Sequence, residues 1–394
     1  MIVVHVTTVP QTLWFLRGQA AFLGERGYEV HAVSSEGDDL TRFAAAEGVT
    51  SHAVNMHRAI SPLGDLFAIT RLYRLFKALK PGIVHAHTPK GGLLGMVAAT
   101  LAGVPARVYH IHGLPMMTAT GMKKRLLWCS EWMSCRLAHT VLCVSRSVRD
   151  VAVAHGLVGG EKVRVLCDGS INGVDSAKRF RRDEELLRES QRIRAENGIQ
   201  AHELVVGFVG RVVRDKGIVE LEQAWNRVRR DFPSAHLLIV GPQERQDPVP
   251  RSVVDRLMSD PRVHMVGQDM NVPRWFGAMD VLALPTYREG FVVTALEASA
   301  MELPIVATDV PGCRDAVVNG QTGILVPAYD ADALARALSR YLSDASLRML
   351  HGAQGRARCI KLFGPERLWQ ATVDVYGQLG EDRGVAIRNG INPR

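Results

Sequence analysis

The sequence predicts an α/β protein built from two doubly wound parallel sheets, and three observations carry that expectation. Short β-branched runs alternate with longer helical patterns, and the alternation starts afresh in the second half of the chain. The chain's 394 residues are too many for one ordinary core and enough for two. Apolar residues make up 47% and charged residues 22%, the balance of a globular chain and not of a disordered or fibrous one.

The first set of runs is IVVHV at 2–6, YEVHAV at 28–33, GIVHAH at 82–87, RVYHIH at 107–112 and TVLCVS at 140–145. Strands separated by helical stretches are the sequence form of a parallel sheet with crossover helices. The second set is LVVGFVG at 204–210, HLLIVG at 236–241, RVHMVG at 262–267, DVLALP at 280–285 and PIVATD at 304–309. Between the sets, residues 176–200 are polar and basic and read as a linker followed by a charged surface helix, with the hinge at Asn172 to Asp175. The expected division is therefore a first Rossmann-like domain over 1–172 and a second over 173–364. A helix over 365–380, with Trp369, Val373 and Tyr376 on one stripe, is expected to pack back on the first domain, followed by a frayed tail over 381–394.

Several function classes lose support at this level. The most apolar stretch, Leu93 to Ile111, is interrupted by Gly95, Gly103, Pro105 and Arg107, so no membrane span is expected. The N-terminus has no charged leader, and the chain is expected in the cytoplasm. Six scattered cysteines without a C-x-x-C pair read as buried thiols and not as a metal or redox site. The formal charge of +8 favours an anionic partner, but the basic residues lack the interleaved aromatics of a single-strand platform, so nucleic acid is not expected.

Ligands of open parallel sheets bind beyond the carboxyl ends of strands, which directs attention to the loops there. After LVVGFVG, Gly210 lets backbone come close, Arg211 offers a fork of donors and Lys216 a point charge, together suited to a pyrophosphate. A helix expected just after Gly290 would aim free N–H groups at the same anion. Glu289 and Glu297 need neutral hydroxyl donors instead. With Glu297 about two turns along that helix they stand roughly 10 Å apart at about 1.5 Å per residue, the reach from a sugar to a ribose across a diphosphate. The plainer alternative makes Glu289 a helix-start cap and Glu297 the partner of a surface lysine. The D-x-D at Asp330 to Asp332 reads as a helix cap and not as a metal site. His110 and His112 are expected on opposite faces of their strand, with His110 in packing, and His87, beside Thr88 and Lys90, is expected to face the cleft.

Four segments together resemble the retaining GT-B glycosyltransferases of family 4, over nearly the whole chain: VYHIHG at 108–113, INGVD at 171–175, GRVVRDKG at 210–217 and EGFVVTALEA at 289–298. The resemblance implies a nucleotide-sugar donor bound by the second domain, an acceptor bound by the first, and closure of the cleft between them. Gly210, Arg211 and Lys216 would hold the diphosphate, Glu297 the ribose and Glu289 the sugar, with the Gly290, Phe291, Val292 and Val293 backbone alongside. His112 would reach the sugar, so that Glu289, His112, Arg211 and Lys216 form the catalytic set. Thr12, His87 and Lys90 are the acceptor-side candidates. Such enzymes use no metal or other cofactor, the positive side chains taking the cation's role.

The chain departs from many relatives in its first loop, Thr7 to Gln19, which has no glycine before Gly18 and should be stiffened by Pro10. That loop, with HTPKGGLLG at 87–95, resembles the branch that builds bacterial surface polysaccharide and lipid-linked oligosaccharide. The resemblance implies transfer of a hexose or N-acetylhexosamine from a UDP-sugar to a saccharide on a polyprenyl diphosphate. Helical patterns at 71–80 and 121–137 mix Arg71, Arg74, Lys77, Lys80, Lys123, Lys124 and Arg125 with Leu126, Leu127, Trp128, Trp132 and Met133. They read either as a peripheral contact with the anionic inner face of the cytoplasmic membrane or as amphipathic helices whose apolar residues face the core. A UDP-sugar epimerase and a non-catalytic subunit of a transferase complex are the alternative functions.

Overall fold

The computed structural model describes residues 1–59, 61–244 and 246–384. By the density of internal contacts the chain divides into two units, Met1–Asn172 with Pro365–Arg394, and Gly173–Gly364.

Among the described residues the first unit has seven parallel strands: β1 (Ile2–Val6), β2 (Glu29–Ser34), β3 (Thr50–Ala53), β4 (Ile83–His87), β5 (Ala106–Ile111), β6 (Thr140–Cys143) and β7 (Val163–Val165). Their order is β3-β2-β1-β4-β5-β6-β7. Five of them coincide with the predicted runs; β3 and β7 do not. Both are edge strands of four and three residues, TSHA and VRV, half solvated and so without the apolar run that marks a buried strand.

The two-residue period divides the core between the faces of the sheet. Val4, Val84 and Tyr109 belong to one cluster, with residues of the helices Pro62–Leu79, Pro89–Leu101 and Gly121–Leu137. Val3, Ile83 and Val108 belong to the other, with the helix Gln19–Gly24 and the C-terminal helix Pro365–Asp382. That last helix packs through Leu368, Thr372, Val375, Tyr376 and Leu379, so the predicted stripe is rotated: only Tyr376 of it is buried, and Trp369 and Val373 flank it. Of the predicted tail, Glu381 and Asp382 belong to this helix, and 385–394 lie outside the described residues.

The second unit has six described parallel strands: β8 (Val205–Val209), β9 (His236–Val240), β10 (Val263–Gly267), β11 (Val281–Leu284), β12 (Ile305–Thr308) and β13 (Gly323–Val326), in the order β10-β9-β8-β11-β12-β13. The unpredicted β13 is again an edge strand. The charged helix exists as Glu184–Glu196, capped by the Asp183 carboxylate on the Leu186 N–H at 3.0 Å. It is more than a surface helix, because Ser190 and Ile193 are buried. Asp330 caps its helix as expected, accepting from the Ala333 N–H at 2.8 Å.

Both sheets reverse direction of growth once, between β1 and β4 and between β8 and β11. In sheets of this kind ligands bind beyond the carboxyl ends of the strands at the reversal, which directs attention to the loops after β1 and β4 and after β8 and β11. Of the cysteines, Cys135, Cys143, Cys313 and Cys359 are buried, but Cys129 is exposed and Cys167 half-buried, because they fall on a helix surface and in a loop. Among the described residues no helix is long and apolar enough to cross a membrane.

Candidate active site

In the second unit, the switch-point loops after β8 and β11 are tied together by Asp215. Its carbonyl accepts from the Tyr287 N–H at 2.9 Å and the Thr286 hydroxyl at 3.1 Å, and its carboxylate accepts from Arg288 Nε at 2.9 Å. Gly217 makes the close approach feasible. It has a φ of 70°, and a Cβ there would lie 1.9 Å from the Pro285 carbonyl oxygen. Gly312 does the same beneath the second loop, where a Cβ would lie 2.7 Å from the Gly290 oxygen.

This scaffold brings Lys216 and Glu289 into a direct, partly buried ion pair. The sequence predicts separate tasks for them, diphosphate and sugar; in the structure each is the other's counter-ion. Arg211 is half exposed and likewise held, its guanidinium donating to the Glu244 carboxylate at 2.8 Å. Gly210, at a φ of 155°, turns the chain out of β8.

Glu297 differs from both. The helix begins at Val293 and not just after Gly290, because residues 289–292 form a non-helical turn in which the Val293 N–H donates to the Phe291 carbonyl at 3.0 Å. Glu297 is therefore little more than one turn into the helix, correcting the predicted two. Its carboxyl has no hydrogen bond or ion pair among the described residues. Burial pushes its pKa up to about 7, opposed by the charge of Arg179. Neither plain alternative holds: the helix has no side-chain cap, and no lysine pairs with Glu297. The Phe291 and Val292 side chains are buried, which leaves their backbone for any ligand.

In the first unit the corresponding loops follow β1 and β4. The first forms a 3-10 helix, Pro10–Leu16, anchored by buried Leu13 and Leu16, with Thr12 half-buried on it. After β4, Thr88 holds a left-handed φ of 66°, unusual for a residue other than glycine, and starts the next helix. Lys90 does not project freely. Its ammonium pairs with Asp65 at 2.7 Å and donates to the Ala59 carbonyl, which fastens the loop before the helix Pro62–Leu79.

The histidines require two corrections. His110 and His112 lie on the same side, their ring centres 4.5 Å apart, because residues two apart on a strand share a face. His87 is buried, and both of its ring nitrogens are taken, Nε2 by His5 Nδ1 and Nδ1 by His112 Nε2, each at 2.9 Å. Burial pushes His5 and His112 down to about 3 and, with repulsion among the rings, holds His85, His87 and His110 well below the usual histidine range. All five are neutral at pH 7. Phe15 stacks on His112 at 5.9 Å between ring centres.

Comparison with known proteins follows the same two-part plan. Residues 15–177 match the model described as Glycosyltransferase Family 4, and residues 203–344 the one described as Glycosyl transferases group 1. The capsular polysaccharide biosynthesis glycosyltransferase CapM of Staphylococcus aureus is 32% identical over 372 residues, covering 94% of this chain and 96% of that protein. The chain belongs to glycosyltransferase family 4.

A second relative of the glycosyltransferase is the UDP-Gal:alpha-D-GlcNAc-diphosphoundecaprenol alpha-1,3-galactosyltransferase of Escherichia coli, 25% identical over 334 residues and 82% of each chain. Among solved structures, Anabaena HepE in complex with UDP-glucose superposes with a TM-score of 0.80 at 18% identity, covering 96% of this chain and 100% of that one. At that identity the likeness is one of fold, and the fold is GT-B.

The structure adds residues to this glycosyltransferase's site that motif reading missed. Asp215 and Arg288 join the loops after β8 and β11, and Gly312 makes room beneath Glu289. His5 is the start of the histidine chain. Its signal was present in the strand period: His5, His85 and His110 each stand two residues beyond a buried apolar residue of one face, Val3, Ile83 and Val108.

Proposed function

We propose that this glycosyltransferase transfers a hexose or N-acetylhexosamine, with retention, from a UDP-sugar to a saccharide carried on a polyprenyl diphosphate. The observation that carries the donor side is the state of Glu297, a half-buried carboxyl without a protein partner among the described residues, in a unit whose neighbouring acid, Glu289, is already paired. An unpaired carboxylate in such a place is stabilised by hydroxyl donors, and the vicinal hydroxyls of a ribose supply two. Arg211, Lys216 and the backbone Gly290–Val293 then take the diphosphate, whose arrival exchanges the Lys216–Glu289 pair for a Lys216–phosphate pair. Released from the lysine, Glu289 accepts from the sugar hydroxyls. Departure of the diphosphate is the step these positive charges stabilise. His112 is the first unit's contribution to transfer, with Thr12 on the acceptor side; His87 and Lys90 act from behind, through the ring and the loop they hold.

The acceptor side rests on the relative whose name specifies a diphosphoundecaprenol substrate, and on an exposed apolar patch beside basic residues. Leu63, Leu66 and Phe67 are 75%, 61% and 71% exposed on one side of the helix Pro62–Leu79, and Met122 and Leu126 are exposed on Gly121–Leu137 next to Lys123, Lys124 and Arg125. Both helices pack on Pro89–Leu101, so they flank it on one face of the sheet. Crossover helices run opposite to their strands, which puts both N-terminal ends at the carboxyl end of the sheet. Leu127 and Trp128 instead pack against the core, leaving Leu126, Met133 and Trp132 for the surface. An anionic bilayer suits this combination of apolar and basic side chains.

The test is release of UDP from a panel of UDP-sugars, with and without a short-chain polyprenyl-diphosphate saccharide. Acceptor-stimulated release from one sugar is expected; conversion of the sugar without UDP release would replace the proposal by an epimerase. For the surface, the double variant L66E/F67E is expected to bind anionic vesicles about 30-fold more weakly, from roughly 2 kcal/mol of apolar contact. Unchanged co-sedimentation with vesicles would remove the membrane from the proposal.

A further inference from the structure

The histidines at the heart of the first unit form a larger cluster than the proposed use of His112 and His87 in transfer requires. Strand register aligns His5 with His85 and His87 with His110, and the two-residue period adds His112, so five imidazoles share one face of the sheet. Neighbouring imidazole centres stand between 4.2 and 5.6 Å apart, and His85, His87, His110 and His112 line a cavity of about 10 Å³, with Cys143 in its wall. That is room for a single small atom.

Two nitrogens are buried there without a hydrogen-bond partner, Nε2 of His85 and Nδ1 of His112. His110 makes no side-chain hydrogen bond among the described residues. Burying this much unsatisfied polarity costs stability unless something pairs with it. The imidazoles present ring nitrogens to the cavity, the donor type that a late first-row transition metal binds.

His87, His110 and His112 each offer one nitrogen within 4.8 Å of the others; the 2.9 Å contact between His87 and His112 is a hydrogen bond that the ion must replace, its proton moving to the ring's other nitrogen or to solvent. Zinc with bonds of about 2.0–2.1 Å in a tetrahedron sets its nitrogens about 3.3 Å apart, so ring rotations of the order of 1 Å bring the trio onto one ion. We propose that this cavity binds one zinc(II) ion on His87, His110 and His112, and that the bound ion inhibits transfer by taking His112 out of use. The ion has no part in the transfer chemistry. The inhibitory half rests on the proposed role of His112; the binding half does not.

Binding is read without activity, by equilibrium dialysis against zinc(II) and by the visible spectrum of cobalt(II) added in its place. One equivalent is expected, with a visible spectrum shifted from that of aqueous cobalt(II) by nitrogen ligation. His110→Gln removes one ligand while leaving His112 and basal transfer in place, and is expected to weaken binding about 100-fold. His110→Thr provides a second, smaller replacement, and a thermal melt of each variant verifies folding. Substoichiometric zinc in the wild type, or equal affinity in folded His110 variants, would overturn the site. Zinc is expected to suppress UDP release in the wild type and to leave the His110→Gln enzyme active at the same concentration. Stoichiometric binding with undiminished turnover would overturn the inhibition and the use of His112, while the site itself stands.

Discussion

Lys216→Ala is expected to lower turnover by about 10²-fold to 10³-fold, on the order of 3–4 kcal/mol, as for removal of one positioned charge or donor from a developing anion. The lysine is the least exposed of the cations in the loop after β8, and the Asp215 contacts that place it come from the fold and not from the ligand. Its charge is thus in place before the diphosphate leaves, and little reorganisation is required at that step. Truncation also leaves Glu289 partly buried without a counter-ion, which raises the cost of the ligand-free state. Arg211→Ala is expected to act in the same direction, although Arg211 must first exchange its Glu244 partner for phosphate. Steady-state assays with a saturating donor, beside thermal melts, check both variants; turnover within threefold of wild type in each would remove the two residues from the catalytic set.

The second large effect concerns Glu297 and pH. With a carboxyl pKa of about 7 in the ligand-free protein, roughly a tenth of the molecules carry the carboxylate at pH 6 and nine-tenths at pH 8. If the ribose hydroxyls bind the carboxylate, UDP affinity should rise about tenfold between those values, and Glu297→Gln should flatten the profile and lose the gain at pH 8. Stability runs the other way. A carboxyl whose folded pKa lies above its unfolded value of 4.5 contributes stability below that value, and the contribution is lost as pH rises through about 7. Glu297→Gln is therefore expected to melt higher than wild type at pH 8 while binding UDP more weakly. Calorimetric titration with UDP across this range decides the point: an affinity independent of pH in the wild type would exclude the carboxylate as the ribose ligand.

Much of the fold was legible because buried parallel strands carry their own signal. Ten apolar runs were read correctly as strands, since a strand covered on both faces must be apolar along its length. The three missed strands, Thr50–Ala53, Val163–Val165 and Gly323–Val326, are sheet edges; in the first two solvent takes one side and the apolar run disappears, while the third, GILV, is apolar but only four residues long. The start of the helix at Val293 was misplaced because glycine at 290 suggested a beginning that the turn over 289–292 postpones. The histidines were misread at a more elementary level, by setting residues two apart on opposite faces.

Residue types and spacing sufficed to name Arg211, Lys216, Glu289 and Glu297 as the charged set after the strands of the second unit, since short-range order along a strand–loop–helix unit is local in sequence. They could not say which charges meet. That Lys216 neutralises Glu289 while Glu297 stays unpaired depends on Asp215 drawing together loops more than seventy residues apart. The pairing of His5 with His87, and of His87 with His112, depends in the same way on the register of β1, β4 and β5. Charge state and hydrogen bonding are set by what lies across space from a side chain, and a linear pattern holds that information only where the neighbour is also a neighbour in the chain.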